Sequence, residues 1–250
     1  MNNDLTLVIP AKNEKESLPF VINEINKLKL EYKLLFIVER TDLGTIKVIR
    51  KFKKKIIFQT KKGYGDAIIT GIKKTKTKFF CIFNADGSFN PRELKNMLKL
   101  IKSRNHDFIF ASRYEKNCSS EDDTLITKIG NFFFTKLGNI FFKLEISDIL
   151  YTFVLGKTKS FNFLKLKEKD FKLCVELPIK TKKNRMLMST SKSHERQRYS
   201  GTKKVNAFRD GFLILKYMIK KFLLGWILLV TQKKKKIEKH NSIQKLLDKD

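Results

Sequence analysis

The sequence predicts an α/β fold: a mostly parallel sheet with helices on both faces, followed by an amphipathic C-terminal helix. Three observations lead there. Short apolar runs alternate with segments of helical period from residue 5 to residue 111. The apolar fraction, 42% of 250 residues, is ample for the core such a sheet needs. Each conspicuous polar motif directly follows an apolar run, at what would be the carboxyl end of a strand, where open α/β sheets bind ligands.

The elements follow in order. LTLVIP at 5–10 reads as a buried strand stopped by Pro10, and 15–29 as a helix with Leu18, Val21, Ile22, Ile25 and Leu28 on one face. Leu34–Val38 is a second strand, followed by a helix near 43–53. Lys55–Phe58 is a third strand, with a helix over 63–74. Phe79–Phe83 is a fourth, and the helix at 91–103 opens with Pro91 and Glu93, suited to a first helical turn. Asp107–Ala111 is a fifth strand.

Beyond residue 115 the pattern changes. A polar loop at 117–123 precedes a helix at 124–143. A Lys-rich segment spans 157–172, and Leu173–Ile179 reads as a strand. Residues 180–204 read as a polar, basic loop. A long apolar helix over 206–231 ends in a charged tail, 232–250, expected to be a solvated helix or disordered. The domain reading is one unit over 1–210, an amphipathic membrane-apposed helix over 211–231, and a basic tail over 232–250.

The formal net charge of +29, from 54 Lys+Arg against 25 Asp+Glu, favours an anionic partner. Lys, Ile, Phe and Asn are all abundant, as expected from an AT-rich genome, so part of the excess is compositional. Cys81, Cys118 and Cys174 are too few and too scattered for a disulfide framework or a CxxC metal site, which points to a reducing, cytoplasmic compartment. His106, His194 and His240 form no cluster. MNNDLTLVIP has no basic stretch leading into an apolar run, and reads as the first strand rather than a signal peptide.

One stretch raises a chemical question. FCIFNADGSFNP at 80–91 ends a buried strand in Asn84-Ala85-Asp86-Gly87. Such a segment is also a good turn. A carboxylate at that strand end can equally hold a divalent cation against a diphosphate, since hard cations take one or two carboxylates plus phosphate oxygens.

Further segments decide between the two. LVIPAKNEKESLP at 7–19, GYGDAIITG at 63–71, NADGSFNP at 84–91, ASRY at 111–114, ELP at 176–178 and HERQRYSGTKKV at 194–205 stand in one order. Together, over about residues 4–210, they resemble the family 2 glycosyltransferases of GT-A fold, and among them the polyprenyl-phosphate (dolichol-phosphate type) sugar synthases. The resemblance implies roles. Pro10, Ala11, Asn13 and Glu14 would line the nucleotide pocket, with Glu39 contacting the nucleoside. Gly63, Gly65 and Asp66 would approach the nucleotide. Asn84 and Asp86 would hold Mg²⁺ or Mn²⁺. Arg113, Arg196 and Arg198 would handle phosphates on the acceptor side, and Asp148 would orient the acceptor or act as base.

Three departures stand out. Asn84 occupies a position where that family commonly has Asp. Glu39-Arg40 replaces a pair of acidic residues, which leaves the donor's base and sugar open. Asp148 is kept but followed by no Ser-Gly-Phe-Arg turn, so the Arg is missing and Lys157 is no more than a candidate substitute. An acceptor hydroxyl would need a base, for which Asp148 is the one choice. Cations are plentiful: Arg113, Lys157, Arg196, Arg198, Lys203 and Lys204. The balance favours an acceptor that is already an anion, a lipid phosphate.

Residues 212–230, FLILKYMIKKFLLGWILLV, do not make a convincing transmembrane span. Twelve Phe, Leu, Ile and Val residues contribute about −4 to −7 kcal/mol, and Lys220 and Lys221 near the centre cost about 2.5–3.5 kcal/mol each. A helix lying in the interface, its lysines lifted towards headgroups, fits better. The helix 124–143, with Phe132-Phe133-Phe134, is a second candidate for such contact, and packing on the sheet is the alternative for both. The resulting expectation is a metal-dependent, inverting transferase, peripheral on the cytoplasmic face of a membrane. Its partners would be a nucleotide-sugar donor and a lipid-phosphate acceptor, with no nucleic acid. The alternatives are transfer to a sugar hydroxyl in cell-surface polysaccharide synthesis, a basic nucleic-acid-binding protein, and a non-catalytic family member.

Overall fold

The computed structural model describes residues 4–202 and 204–247; within the last helix, the side chains of residues 228–230 and 232–247 lie outside the described part. Nine strands, eight α-helices and one 3-10 helix (Pro91–Glu93) occur among the described residues. The main sheet has seven strands in the order β3-β2-β1-β4-β7-β5-β8. These are β1 (Leu5–Ala11), β2 (Lys33–Val38), β3 (Lys55–Phe58), β4 (Phe79–Ile82), β5 (Phe108–Ser112), β7 (Val154–Lys157) and β8 (Met188–Lys192). All pairings are parallel except those of β7, which runs antiparallel between β4 and β5. The short pair β6 (Ser119–Ser120) and β9 (His194–Glu195) forms a separate parallel ladder.

Strand alternation distributes the core over both faces. Leu5, Leu7, Ile9, Phe36 and Val38 pack against α1 (Leu18–Asn26), α2 (Leu43–Lys51) and α4 (Leu94–Ser103). Val8, Leu35 and Ile37 point the other way, onto α3 (Tyr64–Lys73), α6 (Thr158–Leu164) and α7 (Leu173–Lys183). A third core joins α5 (Leu125–Phe142), α7 and α8 (Ala207–Leu247) through Phe134, Ile149, Val175, Ile214 and Met218.

The site crevice originates in the ladder between β1 and β4. That ladder stops at Val8 and Ile82, with Phe83 N donating to Val8 O, whereas β1 continues beside β2 to Ala11. Pro10 is thus accommodated inside a central strand, because its missing N–H falls where β4 has already parted from β1. The strand runs one residue beyond the expected stop at Pro10.

Three expectations differ from the structure. Leu173–Ile179 is the start of helix α7, not a strand; the segment is buried nearly all round, and a fully buried helix and strand share the same apolar signature. The expected basic loop 180–204 contains β8, whose sequence MSTSK carries no apolar alternation and is held by backbone pairing to β5. The Lys-rich segment 157–172 contains α6, and β7 was not foreseen at all. The last helix runs unbroken from Ala207 to Leu247, which makes the tail helical as far as residue 247, one of the two expected outcomes. Among the described residues no helix is long and apolar enough to cross a membrane.

Candidate active site

Asp86 lies just past the end of β4 with its side chain 14% exposed. Its Oδ1 accepts hydrogen bonds from Ser88 N (3.0 Å) and Ser88 Oγ (2.8 Å). Its Oδ2 faces Arg198, whose Nη1 is 3.9 Å away. The following Gly87 has φ of 86°, and Tyr199 packs where a side chain would go. Arg198 is fixed by Asp122, through Nε (3.2 Å) and Nη2 (2.8 Å). One guanidinium therefore bridges the strand-end carboxylate and the loop ahead of α5. Tyr199 N donates to Asp86 O (2.7 Å), and the Tyr199 ring stacks on Phe20 at 4.7 Å.

Asn84 stands beside Asp86 with its Oδ1 3.1 Å from the Tyr64 hydroxyl, which is also 2.8 Å from Thr152 Oγ1. Burial pushes the Tyr64 phenol pKa far up, so this hydroxyl keeps its proton. The amide is held by a neutral donor, and only Asp86 supplies charge in the pair. Asp86 Oδ2 accepts no hydrogen bond among the described residues; Arg198 approaches it to 3.9 Å as an ion pair. A hard cation can take Asp86 Oδ2 and the Asn84 amide oxygen as protein ligands while phosphate oxygens supply the rest. No group of three or more His, Cys, Asp or Glu that could enclose a metal by itself occurs among the described residues. The donor set thus suits a cation shared with a phosphate-bearing ligand.

The ends of β1 and β2 complete this rim. Asn13, with φ of 54°, turns the chain after β1, and its N–H donates to Asp42 Oδ2 (2.6 Å). Glu14, 5% exposed, accepts from Ser17 Oγ (2.7 Å) and pairs with Lys204. Glu39 takes Lys12 Nζ at 2.8 Å. Pro10, Ala11, Asn13, Glu14, Glu39, Asn84, Asp86 and Arg198 accordingly gather along the carboxyl ends of β1, β2 and β4. Lys203 lies outside the described residues.

The other expected site residues lie elsewhere. Asp66 is fully buried and accepts from Thr60 N (3.0 Å) and Lys61 N (2.8 Å), with Lys169 Nζ 3.3 Å away. Burial works to raise its pKa, but these hydrogen bonds and Lys169 outweigh it and hold the carboxyl below the ordinary range. A Cβ at Gly63 (φ 121°) would lie 2.2 Å from Lys169 O, and one at Gly65 2.5 Å from Glu168 O. Close packing of the 168–170 loop already accounts for both glycines. This trio closes a loop junction and presents no carboxylate to the crevice.

Arg113 and Asp148 correct the expected acceptor machinery. Arg113 is 7% exposed, and its Nε and Nη2 donate to Asp148 at 2.8 and 3.1 Å. Its Nη1 reaches Glu195 at 2.9 Å and Asp123 at 3.3 Å. Asp148, 1% exposed, also accepts from Asn131 Nδ2 (2.9 Å). An arginine so enclosed has no direction left for a phosphate, and the carboxylate under it cannot reach an acceptor. Arg196 is likewise engaged: it grips Glu24 (2.9 and 2.8 Å) and the carbonyls of Gly87 and Phe89. It braces the Asp86 turn from behind. Lys157 sits opposite Phe79 at the amino end of β4, the end of the sheet away from the crevice, bonded to Asn105; it cannot replace an acceptor-side arginine. Of the three arginines, Arg198 alone faces the crevice.

Reasoning from sequence missed Tyr64, Thr152 and Asp122. Tyr64 lay in plain view between the two glycines of GYGD, and Asp122 in the acidic run EDD at 121–123. Neither residue type signals its partner without the fold.

A doubly wound sheet with an acidic strand end at a diverging ladder, faced by an arginine, places this protein among the open α/β proteins that bind ligands beyond the carboxyl ends of their strands. The model of glycosyl transferase family 2 matches residues 6–164, most of the chain, and the protein belongs to that family. An uncharacterized protein of Methanocaldococcus jannaschii is 26% identical over 200 residues, covering 72% of this chain and 82% of its own. An uncharacterized glycosyltransferase of Mycobacterium tuberculosis is 28% identical over 94 residues, 38% of this chain and 42% of that protein. The fold resembles glucosyl-3-phosphoglycerate synthase from M. tuberculosis, solved with UDP, at TM-score 0.69 and 11% identity, over 88% of this chain and 80% of that one. It also resembles mannosyl-3-phosphoglycerate synthase from Rubrobacter xylanophilus, at TM-score 0.68 and 15% identity, over 91% and 75%.

Proposed function

We propose that this glycosyltransferase moves a sugar from a nucleotide-sugar to the phosphate of a polyprenyl lipid, dolichyl or undecaprenyl phosphate. The observation that carries the reading is the burial of Asp148 under Arg113. The other rim carboxylates are engaged as well: Glu14 with Lys204, Glu39 with Lys12, and Asp122 with Arg198. A site without a free base at hand suits a nucleophile that arrives already ionised, as a phosphate monoester does.

Asp86 Oδ2 and the Asn84 amide would hold Mg²⁺ or Mn²⁺ against the donor diphosphate. That ion would offset the charge of the departing nucleoside diphosphate. Tyr64 and Thr152 fix the Asn84 amide, and Ser88 fixes the Asp86 carboxylate, leaving one oxygen directed outward. Pro10 to Glu14 and Glu39 would form the nucleoside side of the pocket. Arg198 would contact phosphate across the crevice, its orientation set by Asp122. The acceptor oxygen forms its bond to the anomeric carbon on the face opposite the diphosphate, whose bond to that carbon breaks, so the configuration inverts.

A second reading has a specific observation behind it. A fold neighbour, glucosyl-3-phosphoglycerate synthase, has been solved with Mn²⁺, UDP-glucose and phosphoglyceric acid, at TM-score 0.67 and 11% identity. A small soluble organic phosphate would then be the acceptor. One assay separates the two: the purified chain with Mn²⁺ and radiolabelled GDP- or UDP-sugars, offered polyprenyl phosphate, phosphoglyceric acid or an oligosaccharide. Label in the organic phase only with polyprenyl phosphate supports the first reading; label in the soluble acceptors alone removes it.

A further inference from the structure

We propose that the outer faces of α5 and α8 together form a platform that docks on an anionic bilayer and brings the active-site rim to the lipid surface. The two helices pack side by side. Phe141 stacks on Phe222 at 4.2 Å, and Gly138 and Gly211 sit 3.7–3.8 Å from Met218 and Phe134, were each to carry a Cβ. The contacts advance together along both helices, so these run in the same general direction. Their inner faces are committed to the third core.

The outer faces are apolar and open. On α5, Leu125 (73% exposed), Ile129, Phe132 and Ile140 project to solvent; on α8, Phe208, Phe212 (67%), Leu223 and Trp226 do the same. Single exposed apolar residues need no explanation, but a row of them on two adjoining helices marks an interaction surface. Exposed Lys216 and Lys220 line the same shallow groove as Phe212, Ile219 and Leu223. Exposed Lys128 and Lys136 lie on α5 among its apolar row. Large apolar side chains with interspersed lysines are the pattern of a helix lying in a headgroup region: rings and aliphatic chains enter the boundary, and ammonium groups reach the phosphates. The net charge of +29 supplies a long-range attraction of the same sign. This complementarity selects a negatively charged membrane over a second copy of the chain, whose own +29 would be repelled.

The placement also connects the platform to the chemistry. Helix α5 begins two residues after Asp123 and three after Asp122, the partner of Arg198. Helix α8 begins shortly after Lys204, which pairs with Glu14 on the nucleotide side of the rim. Both helices thus start at the crevice. A lipid with its phosphate at Arg198 would leave its chain on the platform side. The docking surface itself stands on the exposed residues alone, whatever the acceptor; its link to catalysis rests on the proposed function.

The test is co-sedimentation of the full chain with vesicles of phosphatidylcholine alone or with 30 mol% phosphatidylglycerol, beside two variants. One carries Phe132→Glu and Phe212→Glu, the other Lys216→Glu and Lys220→Glu. The platform predicts binding at least tenfold tighter to the anionic vesicles, weakened by raised salt, and reduced at least tenfold in each variant. Circular dichroism melts and nucleoside-diphosphate affinity should stay unchanged in both, because the replaced residues are exposed and away from the rim. Equal binding of the variants and the parent overturns the proposal. So does absence of vesicle binding, or a dimer in sedimentation velocity that Phe212→Glu disrupts, which would make the face a contact between copies. Vesicle binding without sugar transfer to lipid phosphate would refute the acceptor reading and leave the platform standing; transfer without vesicle binding would do the reverse.

Discussion

Arg113 Nε lies 2.8 Å from Asp148 Oδ2 in a pocket where the arginine is 7% exposed and the aspartate 1%. This pair sits at the structural hub of the loops behind the crevice. Arg113 joins Asp148, Glu195 and Asp123, while Asp148 also holds Asn131, nearly two turns into α5. Removing one partner of a buried pair strands the other charge, at a cost of about 3–5 kcal/mol. Asp148→Ala should therefore lower the urea midpoint sharply, while the protein that remains folded transfers sugar with an unshifted pH profile. A variant of parental stability that has lost only its basic limb in the pH–rate profile would make Asp148 the base instead.

Arg196 and Arg198 are two residues apart and should differ in their effect on turnover. Arg196 is tied to Glu24 and to two backbone carbonyls, so Arg196→Ala should cost about 2–3 kcal/mol of stability. Arg198 faces Asp86 across 3.9 Å and is held by Asp122 at 2.8 and 3.2 Å, so Arg198→Ala should cost a similar amount of stability, about 2–3 kcal/mol, but also lower kcat/KM on the order of 10²-fold in the protein that remains folded. Denaturant titration and initial rates on the same two proteins give the comparison.

Tyr64→Phe removes the hydroxyl that fixes the Asn84 amide and leaves the ring stacked on Phe171. The loss of one hydrogen bond, about 1 kcal/mol, should weaken Mn²⁺ binding in the presence of a nucleoside diphosphate by about fivefold. Asn84→Asp should strengthen it by adding a second charge. Manganese electron paramagnetic resonance reads both without any turnover.

Asp66 carries a pH signature. Its folded-state pKa lies below the ordinary value, so its contribution is full above the unfolded aspartate pKa of about 4 and fades as pH falls through the lower folded value. Asp66→Asn should cost about 1.5–3 kcal/mol at pH 7, and the gap from the parent should narrow steadily in unfolding series taken below pH 4. A gap independent of pH would mean that shape, not charge, closes the 60–66 junction.

Much of the fold was legible because βα alternation from Leu5 to Ala111 leaves period-2 and period-3.6 signals of the right length. The crevice was legible for a related reason: Asn84 and Asp86 end an apolar run, and parallel sheets bind ligands at such ends. β8 left no trace, since MSTSK is placed by backbone bonds to β5 rather than by an apolar face. Leu173–Ile179 misled because burial on all sides erases periodicity. The arginines show the deeper limit. ASRY and HERQR mark Arg113, Arg196 and Arg198 alike, but only the fold tells a residue spent on Asp148 or Glu24 from one turned to the crevice.

In the proposed mechanism everything depends on Asp86 holding the cation against the donor diphosphate. Asp86→Ala, titrated with Mn²⁺ and nucleoside diphosphate in a calorimeter and assayed for transfer to polyprenyl phosphate, tests it most directly. The variant should keep a melting temperature near the parent's, lose metal-dependent nucleotide binding, and transfer sugar at least about 10²-fold more slowly, the several kcal/mol that a bound metal supplies. Undiminished transfer and metal binding in that variant would contradict that role.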